Sequence, residues 1–370
     1  MRDILAALTS VWRSGGTAGV ATVVRTRGSA PRPVGAAMVV APDGTVAGSV
    51  SGGCVDAAVY ELAAEVARTG RPRLHSYGVD TDELFGTALT CGGEIDIFAE
   101  PISRKTFPHL PVVIAAVAVD RPVAIATAVA DADPRLGRRL IVTPDAVHGS
   151  LGSARADATV AERARELLAA DHAELIGRAS LEAGTDVFVS TFASRPRLLI
   201  FGAIDFAAAL AQQGALLGYR VTVCDARPRF ATADRFPAAD EVVVDWPDRY
   251  LTAQAQRNTL DDRTVVCVLT HDPKFDVPLL RVALRLPALG YIGAMGSRHT
   301  HDDRLRRLRA AGLTDTELRR LASPLGLDLG ARSPQETAVS IVAEIIMRTH
   351  GGAGHPLTEI GGRIHHDHTP

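Results

Sequence analysis

RPRLLIFGAIDFAAALAQQGALLGYRVTVCDARP, residues 195–228, is the stretch that decides the fold. The run Leu198 to Phe201 is continuously apolar rather than alternating, which marks a strand buried on both faces. A helical stretch to about Leu217 follows, Gly218 ends it, and a second continuous run leads to Asp225. Further on the alternation repeats through EVVVD (241–245), TVVCVLT (264–270) and YIGAM (291–295), separated by helical stretches. Such alternation predicts a parallel sheet covered on both sides, a Rossmann-like domain over 196–349. RHTHDDRLRRLRAAG (298–312) and SPQETAVSIVAEIIMRTH (333–350) close it. The second opens with Ser333 as N-cap, Pro334 at the first helical position and Glu336 three residues after the cap, a capping box. The basic run Arg304 to Arg309, interleaved with Leu305 and Leu308, reads as the solvated face of a helix.

Upstream, Ala193-Ser194-Arg195-Pro196 reads as a linker. Residues 1 to about 105 predict an α+β unit: a helix over Asp3 to Trp12, short β runs at Gly19 to Arg25 and Ala36 to Val40, and turns at Gly28-Ser29, Pro31, Pro33 and Asp43-Gly44. Val55, Val59, Leu62 and Val66 recur at helical spacing and stop at Gly70. Residues 106–192 predict a β-rich extension of that domain, with runs at Val112 to Val119, Val123 to Val129 and Arg138 to Val142. A helix over Thr159 to Ala170 and a strand over Thr185 to Thr191 complete it. The Gly- and His-rich tail, 350–370, lacks apolar periodicity and is expected to be disordered.

The chain has 370 residues, 46% hydrophobic and 22% charged, the balance of ordinary globular domains. Its net charge of −2 offers nucleic acid no general attraction. The only lysines, Lys105 and Lys274, lie outside any phosphate-binding P-loop. The N-terminus lacks a secretory pattern, and no run approaches the roughly 20 apolar residues of a membrane span, so a cytoplasmic protein is expected. Four scattered cysteines form no disulfide framework and no C-x-x-C pair.

Several residues are candidates for chemistry. Cys54 follows Gly52 and Gly53 beside a predicted helix N-terminus, a setting in which a thiolate can meet a soft metal or carry a persulfide; the alternative is a buried cysteine packed as a small hydrophobe. Cys91, before Gly92 and Gly93, is a second thiol in a glycine-rich turn. Cys224 and Cys267 fall inside core strands, where inert burial is expected. At the dinucleotide turn Gly202 is present, but Ile204 replaces the second glycine and Asp205 adds a negative charge, a pair that should block and repel a pyrophosphate. Asp225 stands where an acid would bind ribose hydroxyls. Gly296-Ser297-Arg298 puts backbone donors and a guanidinium at the sheet's carboxyl edge, and Thr270-His271-Asp272 ends the preceding strand there. His271 and Asp272 read either as an acid/base or anion-contacting unit or as a structural hydrogen-bonded pair.

Taken together, RGSAPRPVGAAMVV (27–40), GSVSGGCVD (48–56), CGGEIDIF (91–98), LLIFGA, LTHDP (269–273), YIGAMGSR (291–298) and SPLGLDLGARSPQETAVSIVAEI (323–345) resemble the xanthine dehydrogenase accessory family, XdhC/CoxI, along nearly the whole chain. The resemblance implies a chaperone rather than a classical enzyme. Such a protein binds molybdopterin cofactor, shelters it while an oxo ligand is replaced by sulfur, and delivers it to a xanthine dehydrogenase- or carbon monoxide dehydrogenase-type hydroxylase. It implies a cysteine desulfurase and the apo-hydroxylase as partners, and Cys54 as the cofactor-contacting thiol and metal ligand. The family's turn is a fuller Gly-x-Gly-His, so Ile204 and Asp205 count against a nucleotide role here. The alternatives are an NAD(P)-dependent oxidoreductase resting on the Rossmann-like domain and Asp225, and an assembly scaffold that binds partners without pterin. A homodimer is expected, because clefts between domains or subunits shelter labile ligands.

Overall fold

The computed structural model describes residues 1–78, 92–130, 133–179, 185–287 and 289–361. The chain divides into two compact units, Met1–Ser194 and Arg195–Pro370. Among the described residues no helix is long and apolar enough to cross a membrane.

The first unit begins with helix α1 (Leu5–Ser14) and strands β1 (Ala18–Arg27), β2 (Ala37–Val40) and β3 (Val46–Gly48). Helix α2 (Asp56–Thr69) and strands β4 (Arg73–Tyr77) and β5 (Glu94–Ile102) follow, giving an antiparallel sheet in the order β3-β2-β1-β5-β4. Successive side chains of β1 point to opposite faces, so Val20 joins one core and Ala21 and Val23 another. Helix α2 lays Val59, Leu62, Ala63 and Val66, one stripe at helical spacing, on the Ala21 face. Burying each of its larger side chains stabilises the contact by about 1.5–3 kcal/mol. Gly19 permits that approach: a Cβ there would stand 2.0 Å from the Ala63 carbonyl oxygen.

Helix α3 (Leu110–Ala118) occupies the run Val112 to Val119 that the sequence pattern marks as β-rich. A short apolar run does not distinguish a buried strand from a buried helix. Here Pro111 in the first turn and three alanines favour the helix, which buries Leu110, Val113 and Ala116 at a three-residue interval. The second sheet is again antiparallel. Strands β6 (Val123–Ala128), β7 (Arg139–Val142), β8 (Val147–Gly149), β9 (Glu174–Ile176) and β10 (Val187–Phe192) take the order β8-β7-β6-β10-β9. Helix α4 (Ala154–Ala169) begins earlier than its apolar pattern suggests, because the Ser153 hydroxyl accepts the Ala156 N–H as a cap. It covers the outer face through Val160, Ala164, Leu167 and Leu168. The inner faces of the two sheets meet at Val24, Phe98, Val129 and Phe188. Beside them the Arg139–Glu100 ion pair joins the sheets, each side chain 8% exposed.

The second unit is a six-stranded parallel sheet of β11 (Arg197–Phe201), β12 (Arg220–Asp225), β13 (Glu241–Val244), β14 (Val265–Val268), β15 (Tyr291–Ala294) and β16 (Leu321–Ala322). Its order, β13-β12-β11-β14-β15-β16, is the doubly wound Rossmann order, with the switch point between β11 and β14. Helices α5 (Asp205–Leu216) and α10 (Pro334–His350) cover Leu198, Ile200, Val221 and Cys267 on one face. On the other, α6 (Pro247–Gln256), α7 (Pro273–Ala283), α8 (Arg298–Ala310) and α9 (Asp315–Leu318) cover Leu199, Phe201, Cys224 and Val266. The capping box of α10 is formed by Ser333 and Glu336. Arg304 departs from the solvated face read from its neighbours. It is buried, and donates to Asp276 of α7 at 3.0 Å, the Met295 carbonyl at 2.8 Å and the Ser323 hydroxyl at 3.0 Å. Residues 362–370 of the tail expected to be disordered lie outside the described residues.

Candidate functional site

Between β3 and α2 the chain makes a loop of Ser49 to Val55, and Asp56 at the start of α2 organises it. The Ser49 hydroxyl donates to Asp56 Oδ2 at 2.6 Å, while Oδ1 accepts the Val50 N–H at 3.2 Å, the Ser51 N–H at 3.0 Å and the Ser51 hydroxyl at 2.9 Å. Ser51 in turn accepts the Val55 N–H at 2.9 Å. Burial works against the ionised carboxylate, but the two hydroxyls and two amides outweigh it and hold Asp56 below the usual carboxylate range. With its base fixed, the loop turns outward through Gly52 at φ +66° and Gly53 at φ +117°, conformations that side chains rarely adopt. A Cβ at either glycine would meet nothing within 4 Å, so this part of the loop borders open space. Cys54 follows directly and is exposed.

The other candidate thiols differ. Cys224 and Cys267 are buried in the second unit, and burial pushes the Cys224 thiol up to about 12 and raises that of Cys267 as well. Cys91 lies outside the described residues. Gly92 is exposed, and Gly93 packs so closely on the Ser29 carbonyl that a Cβ would come within 2.2 Å of it. Among the described residues no group of three His, Cys, Asp or Glu side chains is placed to hold a metal ion.

In the second unit the remaining candidates lie at or just beyond the carboxyl ends of the strands. Gly202 leaves β11 at φ +117° against Leu269 and Thr270, with a Cβ there only 3.0 Å from the Thr270 nitrogen. Ile204 continues the turn, and exposed Asp205 pairs with Arg235 at 3.3 Å. Asp225 is 2% exposed. Its carboxylate accepts the Ala203 N–H at 2.8 Å, the Arg227 N–H at 2.9 Å and both ends of the Arg227 guanidinium. Burial opposes its ionisation, yet Arg227 and the two amides hold the carboxyl below its ordinary range. The position that would accept ribose hydroxyls is thus filled from within the chain.

His271 is exposed, and it shares no hydrogen bond with Asp272 among the described residues. Asp272 instead caps α7 by accepting the Lys274 N–H and pairs with the Lys274 ammonium at 3.0 Å. Ser297 caps α8 through the Thr300 N–H, following Gly296, and Arg298 opens that helix exposed to solvent. Arg298 and Arg229 make no ion pair among the described residues, so this edge carries available positive charge. Between Arg227 and Arg235 stands Phe230, 45% exposed, with the guanidiniums 4.7 and 5.7 Å from its ring centre.

A family profile described as the XdhC Rossmann domain matches residues 198–345. One described as the XdhC and CoxI family matches 11–78 and 116–177. The chain belongs to the XdhC/CoxI family. It is 28% identical over 329 residues to a protein of Bacillus subtilis named as a probable xanthine dehydrogenase subunit, covering 88% of this chain and 92% of that one. Identity is also 28% over 344 residues to the molybdenum cofactor insertion chaperone PaoD of Escherichia coli, covering 93% and 87%. A crystal structure described as a xanthine dehydrogenase from Bacillus halodurans superposes with a TM-score of 0.72 at 25% identity, over 96% of this chain and 99% of that one.

In this XdhC/CoxI chain, the sequence pattern singles out Cys54, which the structure places in an exposed loop, but not the carboxylate that holds that loop. The signal was present: Asp56 closes the motif GSVSGGCVD, and an acid in the first turn of a helix is placed to gather the amides and serine hydroxyls just before it. The pattern also passes over Arg227. An arginine two residues beyond a strand-terminal acid can fold back onto it, as it does here.

Proposed function

We propose that this chain binds molybdenum cofactor as cargo, supports its sulfuration, and inserts it into a xanthine dehydrogenase- or carbon monoxide dehydrogenase-type hydroxylase. One observation carries the reading: an exposed thiol, Cys54, on a loop fixed from beneath by Asp56 and bordered by open space over Gly52 and Gly53. Sulfur is a ligand suited to molybdenum, and flanking glycines let a bulky cofactor approach the thiol. The name of the Escherichia coli relative, a molybdenum cofactor insertion chaperone, supports the same cargo. In the second unit, exposed Arg229 and Arg298 and the Phe230 ring suit an anion attached to a planar heterocycle, the chemistry of a pterin phosphate. The partners in this reading are the apo-hydroxylase and a cysteine desulfurase, and the working form is a cytoplasmic homodimer. An oxidoreductase reading has less support, since Asp225 is occupied by Arg227 and Ile204 stands in the pyrophosphate turn.

The test is molybdenum and pterin analysis of the protein purified from a molybdate-supplied host, beside activation of a co-expressed hydroxylase. The native chain should carry both, and Cys54→Ala should lose most of the bound molybdenum and of the activation. Retention and activation unchanged in Cys54→Ala would remove the thiol from the mechanism. Absence of pterin from the native chain would favour a scaffold.

A further inference from the structure

The first unit is built twice. The succession β1-β2-β3-α2-β4-β5 is repeated as β6-β7-β8-α4-β9-β10, and the two sheets share one strand order. At the strand-to-helix junction, Gly48-Ser49-Val50-Ser51-Gly52-Gly53-Cys54-Val55-Asp56 falls on Gly149-Ser150-Leu151-Gly152-Ser153-Ala154-Arg155-Ala156-Asp157, residue for residue. The hydrogen bonds repeat with the residues. Ser49 donates to Asp56 Oδ2 at 2.6 Å and Ser150 to Asp157 Oδ2 at 2.7 Å. The Val50 N–H donates to Asp56 Oδ1 at 3.2 Å and the Leu151 N–H to Asp157 Oδ1 at 2.7 Å. The serine hydroxyl also accepts a glycine N–H in each copy, from Gly52 at 2.8 Å and from Gly152 at 3.0 Å, though these glycines are not counterparts, since Gly152 falls on Ser51.

What the copies share holds the loop, and what they do not share is what the loop presents. Arg155 replaces Cys54, and Ser153-Ala154 replaces Gly52-Gly53. The first copy also adds two bonds that the second lacks, from the Ser51 N–H and hydroxyl to Asp56, at the residue that leads into the glycine turn. In the second copy Gly152 fills that place and has no hydroxyl to offer.

We infer that Asp56 is the positioning residue of the cysteine loop, fixing through Ser49, Val50 and Ser51 the backbone from which Cys54 projects, and that Asp157 is its purely structural twin. This inference rests on the reading of Cys54 as the cofactor-contacting thiol. Asp56 acts only through that loop, and the twin supplies a control inside the same molecule: the shared pair of bonds, with no thiol to aim.

The experiment compares Asp56→Asn with Asp157→Asn in the full chain, reading molybdenum retained per folded chain and hydrogen exchange of the segments 49–55 and 150–156. Asn keeps one oxygen for the amides but loses the acceptor that Ser49 uses. Asp56→Asn should speed exchange in 49–55 alone and lower retention by about 10-fold, the usual cost of losing a group that orients a metal-contacting side chain. Asp157→Asn should speed exchange in 150–156 and leave retention unchanged. Asp56→Ala should go further than Asp56→Asn in both readouts, so partial retention by the conservative variant separates positioning from collapse. Equal retention in the two Asn variants would overturn the inference. Loss in Cys54→Ala with full retention in Asp56→Asn defeats the role of Asp56 alone, whereas full retention in Cys54→Ala defeats the thiol reading beneath it.

Discussion

Replacing Arg304 with Met should unbalance the second unit in a way that pH reveals. Its guanidinium is 3% exposed and ties α7 to the ends of β15 and β16 through Asp276, the Met295 carbonyl and Ser323. Without it Asp276, 4% exposed, keeps the Thr270 hydroxyl as its remaining side-chain partner. Breaking one side of a buried pair costs about 3–5 kcal/mol, because the other charge stays desolvated. With a urea slope of about 2 kcal/mol/M, the unfolding midpoint should fall by about 2 M. Trp246 reports this unit, its ring centre 5.2 Å from that of Phe275 on α7, once Trp12 is replaced by Phe in every protein compared. Burial already pushes the Asp276 carboxyl up, against the pull of Thr270 and Arg304, and losing Arg304 pushes it further. A carboxyl raised in the folded state binds its proton more tightly there than in the unfolded chain. Stability is therefore lost as pH rises through the interval between the two values and regained as it falls. The deficit of Arg304→Met should be larger at about pH 7 than at about pH 5, and adding Asp276→Leu should restore most of it. A deficit below about 1 kcal/mol, or one independent of pH, would refute the claim that a desolvated carboxylate is the cause.

Two further outcomes follow from the site. In the native chain with Cys91→Ser, a maleimide should label Cys54 and leave Cys224 and Cys267 untouched until denaturant is added, because burial raises both buried thiols; mass spectrometry of the digested protein checks this, and early labelling of Cys267 would contradict the packing of β14. Calorimetric titration with NAD(P) should show no binding at millimolar concentration, since Arg227 holds Asp225 and Ile204 and Asp205 occupy the phosphate turn. Saturable binding would return the oxidoreductase reading to the front.

The second unit was legible because its strands are continuous apolar runs, and a parallel sheet buried on both faces leaves few other readings for Leu198–Phe201 or Val265–Val268. The capped start of α10 was legible for a different reason: Ser333, Pro334 and Glu336 state it locally. Leu110–Ala118 was not, because apolar residues also stand at its exposed positions Pro111, Ala115 and Ala118 and hide the helical period of the stripe it buries. Arg304 was misread in the opposite sense. Its neighbours Arg306, Arg307 and Arg309 do face solvent, and nothing within the helix reveals that Asp276, Met295 and Ser323 converge on the first of the run. The doubling of the first unit escaped the pattern for a related reason. The copies agree at Ser49 and Asp56 against Ser150 and Asp157, but differ at the residues that draw attention, Cys54 and the glycines before it.

The Rossmann edge of this chain keeps the parts of a dinucleotide site and reverses their electrostatics. In that architecture the acid ending the second strand offers oxygens to ribose hydroxyls. Here the acid is present as Asp225, but Arg227, two residues on, bonds back to both of its oxygens while a backbone amide from the first turn adds a third hold. The carboxylate no longer faces outward as an acceptor. What faces outward is the stack of Arg227 and Arg235 on Phe230, with Arg229 and Arg298 adding charge without ion-pair partners among the described residues. An edge of that kind favours an anion joined to a flat ring over the hydroxyls of a ribose. The edge thus keeps the strand order of a dinucleotide site while losing, at Asp225, the outward acceptor that ribose hydroxyls would use.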